Sequence, residues 1–396
     1  VFNLKTTPMR RALRFVILVG ILSFFADFTY EGARSITGPF LGLLGATAAI
    51  ISIVAGFGEL LGYGLRLLSG PLAERTGRFW LITIVGYVVQ MSAVPLLALA
   101  TNWQTAAALI VLERVGKAIR NPPRDVMLSH AAQKIGYGWG FGVHEALDQF
   151  GALFGPLLVA VLLASHHAYV QAFAVLAVPA GITLALVLIA RFLYPKPQEM
   201  EEPREVTAPS EALPAVFWIY LVGAALVAAG FADYSLIAYH FQTSLGLTVW
   251  LPIFYSIAMA VSGVGSLTFG KLFDRFGLII LVPLTLTGAL FAPLVFLGNF
   301  TLGLVGAAIW GLGMGVHESI IPAAVAHMVP ARRRATAYGV FTGTYGIAWF
   351  VGSIAIGLLY TKSLAWLVAF CIVTQLIAIP VFFNVSRRVG VNVDRS

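Results

Sequence analysis

Residues 70–77 read GPLAERTG, and residues 270–277 read GKLFDRFG. The two stretches match at Gly70/Gly270, Leu72/Leu272, Glu74/Asp274, Arg75/Arg275 and Gly77/Gly277, an offset of 200. A second set, Gly116/Gly315, Pro123/Pro322 and Gly140/Gly339, recurs at offset 199, and Ala26-Asp27-Phe28 is echoed more loosely by Ala232-Asp233-Tyr234. Three matches in one order at nearly one offset mean two homologous halves. Between them lies PKPQEMEEPREVTAPSE, residues 195–211, the only long hydrophilic stretch. The expected organisation is therefore an N-terminal half, residues 1–194, a linker at 195–211, and a C-terminal half, residues 212–396.

Each half is built for lipid. Of 396 residues, 59% are hydrophobic and only 11% charged, with a mean hydropathy of +0.89. A soluble domain carries about a quarter charged residues, and a disordered chain lacks the apolar content seen here. Apolar runs of about twenty residues, the length that crosses a bilayer, fall at 14–42, 47–68, 79–100, 104–121, 138–165, 168–190, 212–232, 246–269, 278–298, 301–328, 335–361 and 363–384. That is twelve spans, six per half. The absence of period-two alternation excludes a transmembrane barrel. No cleavable signal peptide is expected, since the first run lacks a small-residue cleavage site. The single cysteine, Cys371, excludes a disulfide framework.

The formal charge of +8 is explained by topology. Lys5, Arg10, Arg11 and Arg14 precede the first span, and basic residues follow every even-numbered one: Arg75 and Arg78, then Arg120, Arg124 and Lys134, then Arg191, Lys196 and Arg204. Lys271 and Arg275, Arg332 to Arg334, and Arg387, Arg388 and Arg395 continue the series, while the odd-numbered connections hold essentially only Lys362. The positive-inside rule places both termini and all these loops in the cytoplasm. The charge calls for no nucleic-acid partner.

Two parallel six-helix halves joined by a cytoplasmic loop suit a transporter with its substrate site at the midplane between repeats. The loop Gly70-Pro71-Leu72-Ala73-Glu74-Arg75-Thr76-Gly77-Arg78 resembles the G-x-L-A-D-R-x-G-R motif of the major facilitator superfamily, with Glu74 in place of Asp. Leu112-Glu113-Arg114-Val115-Gly116 resembles that family's fourth-helix R-x-x-x-G element. Gly151-Ala152-Leu153-Phe154-Gly155-Pro156 is similar to the fifth-helix G-x-x-x-G-P element of its proton-coupled exporters. The resemblance covers the whole chain. It implies an all-α polytopic fold of twelve transmembrane helices in which the first, fourth, seventh and tenth line a central cavity. It also implies a cytoplasmic gate at Gly70, Glu74, Arg75, Gly77 and Arg78, with Asp125 as a partner, echoed by Gly270, Asp274 and Arg275. Gly70 and Gly77 permit a tight turn there.

Ionisable groups inside spans cost roughly 2.5–3.5 kcal/mol each on insertion scales and are functional candidates by default. The first span offers Asp27, Glu31 and Arg34 on one helical face, with Tyr30 beside them. Either Glu31 pairs Arg34 and leaves Asp27 relatively free, or Arg34 holds both acids. On the fourth, Glu113, Lys117, Arg120 and Arg124 follow one face, and Arg114 adjoins them. The seventh contributes Asp233, Tyr234 and His240, the tenth His317 and Glu318, and the fifth His144, Glu145 and Asp148. Asp27, Glu31, Asp233, Glu145 and Asp148 are the proton-coupling candidates. Tyr30, Arg34, Glu113, Arg114, Lys117, Tyr234, His240, His317 and Glu318 are the cavity candidates.

The expected function is secondary active transport, a proton-coupled exporter or antiporter of a small organic or amphipathic compound working by alternating access. An organic-anion carrier is the alternative drawn from the Arg34, Lys117, Arg120 stripe; a metal-ion exporter and a non-transporting membrane sensor are the others. No cofactor or bound metal is expected. There is no Walker A sequence for ATP and no G-x-S-x-G nucleophile context for an enzyme. The partners are the lipid bilayer, a small-molecule substrate and protons. A monomer in a prokaryotic cytoplasmic membrane is expected.

Overall fold

A computed structural model describes residues 7–135, 137–196, 213–317, 321–329 and 334–393. Among the described residues every regular element is helical. Hydrocarbon offers no hydrogen-bond partner for the backbone, so a lipid-embedded chain of this composition satisfies its amides within each helix. Among the described residues ten helices are long and apolar enough to cross a membrane, and Phe300–Gly315 is a shorter apolar one. The remaining span is Trp103–Ile135, long enough but too rich in charge to stand in that group. These are the twelve spans the apolar runs predict. Side chains such as Leu188, Phe192, Trp218, Leu267 and Trp366 stand exposed along them. An apolar exterior on that scale is matched by lipid rather than water.

Two details of the spans depart from expectation. The fourth does not end near residue 121 but continues to Ile135, through Pro122 and Pro123. Arg120 and Arg124, counted from sequence with the basic connection after it, are instead buried inside it. The seventh runs Ala215–Ala229, stops, and resumes as Tyr234–Leu245, with Asp233 extended at the break. It is interrupted within a single candidate span, Ala215–Leu245.

The chain forms two compact units, one of Val1–Ile36 and Gly64–Glu205, the other of Thr37–Tyr63 and Val206–Ser396. In the first, Phe15, Val19, Trp80, Tyr87, Met91, Met127 and Leu128 share one core cluster. Gly151 and Gly155 let the fifth span approach the first, because a Cβ at either would strike the carbonyl oxygen of Phe24 or Phe28. The G-x-x-x-G of this chain is thus a close-packing seam. In the second unit, residues 37–63 pack with the second-half helices. The Thr37 and Ser235 hydroxyls lie 3.2 Å apart, Ser52 donates to the Ser353 carbonyl at 2.7 Å, and Tyr63 meets Tyr345 edge-on. The sequence repeat and the compact units are therefore different divisions of the chain.

The repeated loop motif has a backbone basis. Gly77 ends Arg66–Thr76 with φ of 64°, and Gly277 ends Trp250–Phe276 with φ of 66°. Both are left-handed values that glycine adopts without a Cβ clash. Gly70 does not share this role: it lies inside the helix Arg66–Thr76, so Gly77 alone makes the turn.

Candidate functional site

The first unit carries a continuous buried polar chain across its first, third and fourth spans. The close packing of Phe79–Leu96 against Trp103–Ile135 sets Tyr87 and Gln90 beside Arg120 and Glu113. Arg120, fully buried, donates through Nε to Gln90 Oε1 at 2.5 Å and through Nη1 to the Tyr87 hydroxyl at 3.0 Å. Its Nη2 reaches Asp27 Oδ1 at 3.5 Å. Gln90 passes the connection on, donating Nε2 to Glu113 Oε1 at 2.7 Å. Glu113 Oε2 is 3.7 Å from Arg114 Nε, and Arg114 in turn donates to the Tyr30 hydroxyl. Arg34 donates to the same hydroxyl at 3.2 Å and stands 4.0 Å from Glu31. Burial of charge is tolerable only when it is paired and hydrogen-bonded, and here each arginine has a carboxylate beside it.

The first-span alternatives are thereby resolved. Glu31 pairs with Arg34, while Asp27 goes to Arg120 on another helix. Lys117 lies with its ammonium 4.0 Å from the centroid of the Tyr30 ring, a cation–π distance.

A second branch joins the first, fourth and fifth spans. Arg124 Nη1 donates to Ser23 Oγ at 3.1 Å, and Ser23 Oγ meets His144 Nε2 at 2.9 Å. His144 Nδ1 is 3.6 Å from Asp148 Oδ2. Glu145 is exposed and accepts from Gln149 at 3.0 Å. His144, Glu145 and Asp148 each bring one donor atom within 4.8 Å of the others, a set that could hold a cation.

The second unit is built differently. Around the break in the seventh span, Phe231, Tyr234, Trp310, Tyr345 and Trp349 are nearly inaccessible. The indole of Trp310 donates to the Ala232 carbonyl at 2.8 Å, and that of Trp349 to Asp233 Oδ2 at 3.0 Å. Freed backbone at membrane depth survives where protein donors satisfy it. Tyr234 donates to the Leu251 carbonyl at 2.6 Å, His317 meets the Tyr345 hydroxyl at 2.6 Å, and His240 meets the Tyr360 hydroxyl at 3.1 Å. The structure thus gathers Asp27, Tyr30, Glu31, Arg34, Glu113, Arg114 and Lys117 in one unit, and Asp233, Tyr234, His240 and His317 in the other. Glu318 and the side chain of Asp274 lie outside the described residues.

The expected gate pairing is not formed. Asp125 is held by its neighbour Arg124 at 2.8 Å, because the buried guanidinium takes the nearest carboxylate. Glu74, Arg75, Arg78 and Arg275 are exposed, and Arg275 lies over the Phe276 ring. Sequence reading missed Ser23, Tyr87, Gln90 and Trp310 as parts of these networks, and took Trp349 as an apolar cavity wall rather than a donor to Asp233. A signal existed for Gln90: an amide in the middle of an otherwise uncharged apolar run. None existed for Trp310, which looks like any membrane aromatic.

Spans of membrane-crossing length, with charge inside them and duplicated glycine-ended turns, describe a multi-pass membrane protein. The sequence profile of the Major Facilitator Superfamily matches residues 17–353 and 270–392, and the chain belongs to that family. It is a secondary transporter of that type. The chain is 42% identical over 388 residues to uncharacterized protein Rv2265 of Mycobacterium tuberculosis, covering 96% of this chain and 95% of the relative. It is 25% identical over 360 residues to the uncharacterized MFS-type transporter MJ1317 of Methanocaldococcus jannaschii, covering 88% and 89%. Among solved structures, that of the peptide transporter POT in complex with sulfate superposes with a TM-score of 0.77 at 15% identity, covering 95% of each chain. At that identity the likeness speaks to fold alone.

Proposed function

We propose that the chain is a proton-coupled exporter of small organic compounds that works by alternating access, with Asp27 as its proton-exchanging acid. The observation that carries this reading is the hold on Asp27. Its contact among the described residues is Arg120 at 3.5 Å, and Arg120 already serves Gln90 and Tyr87 at shorter range. The Asp27 side chain keeps 14% of its surface accessible, so a proton can reach it, whereas Asp233 is 1% exposed. Neutralising Asp27 releases one arm of Arg120. The relay from Arg120 through Gln90, Glu113 and Arg114 then carries that change to Tyr30, where Arg34, Arg114 and Lys117 meet.

Export is supported by the resemblance of Gly151 to Pro156 to the element of proton-coupled exporters. Glu145 and Asp148 remain secondary candidates for coupling. The exposed Glu74 and Arg75 are read as gate residues whose partners form in another state of the cycle. The protein acts as a monomer in a prokaryotic cytoplasmic membrane, both termini on the cytoplasmic side, as the loop charges favour.

The test is compound-induced proton movement across proteoliposomes under an imposed pH gradient, with the gradient applied in each direction. Wild-type flux should follow the gradient, and Asp27→Asn should abolish that dependence. Wild-type flux that ignores the gradient would refute proton coupling; gradient-driven accumulation on the cytoplasmic side would refute export.

A further inference from the structure

In the second unit a cavity of about 20 Å³ lies among the seventh, ninth, tenth and twelfth spans. Val227, Leu284 and Ile321 contribute apolar wall, and three polar side chains, Thr285, His317 and Gln375, line it as well. All three are more than nine-tenths buried, with 6%, 4% and 1% of their surface exposed. Each keeps a hydrogen-bonding group without a protein partner among the described residues. The Thr285 hydroxyl has none. His317 meets the Tyr345 hydroxyl through Nδ1 at 2.6 Å, which leaves Nε2, and Gln375 donates Nε2 to the Val227 carbonyl at 3.2 Å, which leaves Oε1.

Buried polar groups left unpaired are costly, most of all where no bulk water is near. Three of them around one cavity specify what it takes. Gln375 Oε1 only accepts, so the occupant must donate to it. If Tyr345 donates to His317 Nδ1, then Nε2 carries a proton and the occupant accepts it; with the other tautomer Nε2 accepts from the occupant. A molecule that both donates and accepts satisfies either case. None of the described lining residues is charged, so an ion would sit there without a counter-charge. An apolar occupant would leave all three groups unpaired. About 10–15 Å³ holds one water, which needs two to four polar partners.

We propose that this cavity binds one water molecule that bridges Thr285 Oγ1, His317 Nε2 and Gln375 Oε1. The water fastens the ninth, tenth and twelfth spans to one another. It also holds the His317 imidazole against Phe231, their ring centroids 4.3 Å apart, at the break in the seventh span. This site does not depend on which acid carries the proton.

Thermal unfolding of the full-length protein in detergent separates a hydrated cavity from a dry one by sign. In a dry cavity Thr285→Val removes an unpaired hydroxyl at nearly constant volume and raises the melting temperature. In a hydrated one it takes a partner from the water and should lower the melting temperature by about 1–3 °C. His317→Asn keeps a polar group near the Nδ1 position for Tyr345 and removes Nε2. Combined with Thr285→Val it should lose less than the sum of the two single losses, because both act on one molecule. A crystal structure at a resolution that shows ordered water should place one peak about 2.7–3.2 Å from all three atoms. A melting temperature raised or unchanged by Thr285→Val, additive losses in the double variant, or no such peak would each overturn the proposal. A peak that exchanges for bromide or rubidium in soaked crystals would overturn it too, since it would mark an ion.

Discussion

The same short element, Ala26-Asp27-Phe28 in the first half and Ala232-Asp233-Tyr234 in the second, ends up in two opposite environments. Asp27 sits within the unbroken helix Thr7–Leu43 and faces a guanidinium. Asp233 sits where the seventh span is broken and accepts from an indole. One copy is embedded in a chain of charge, the other in a wall of aromatic rings. The duplicated acid thus meets a guanidinium in one half and an indole in the other. The local cause is partly visible: Gly230 stands three residues before Asp233, where Phe24 precedes Asp27. Glycine in a helix costs up to about 1 kcal/mol relative to alanine. Trp310 then stabilises the opened turn by bonding the Ala232 carbonyl.

The comparison can be broken most directly at Arg120. Arg120→Met leaves Asp27, a partly buried carboxylate, without its cation and removes a donor from each of Gln90 and Tyr87. Thermal unfolding of the purified protein should show a loss of about 3–5 kcal/mol. A loss no greater than that of the tryptophan variant below would mean that the charged network is not the more tightly coupled of the two. Trp349→Phe keeps most of the ring and removes the donor to Asp233, so its cost should be smaller, about 1–3 kcal/mol. Asp233→Asn should leave the gradient dependence of transport in place, in contrast to Asp27→Asn; loss of coupling in both would make the two acids equivalent. The duplicated turns should show effects no larger than that of the tryptophan variant. Gly77→Ala should cost about 1–2 kcal/mol for a left-handed alanine. Gly277→Ala should cost somewhat more, about 1–3 kcal/mol, because its ψ of −151° places it in a region that is essentially glycine's alone.

Much of the fold was legible before any coordinates. The apolar runs mark the twelve spans, because a membrane demands about twenty apolar residues per crossing, and the paired loops mark the repeat, because a left-handed turn favours glycine. The fourth span was harder to bound. Arg120 and Arg124 read as the cytoplasmic end of the charged stripe on the fourth span, because an isolated helix in lipid would not bury them. Only Gln90, Tyr87 and Ser23, from spans distant in sequence, make their burial affordable. The pairing of Asp27 was hidden for the same reason: Arg34, seven residues away on the same face, is the obvious partner, yet Arg120 is the one within reach.

What the sequence determined by itself is the solvent, the number of crossings, the duplication and the residue types that bear charge inside the membrane, all set by hydrophobicity and local backbone preference. What only the tertiary structure decided is which charge meets which. Two side chains become partners through the packing of helices separated by tens of residues, and that packing turns one copy of a repeated acid toward arginine and the other toward tryptophan.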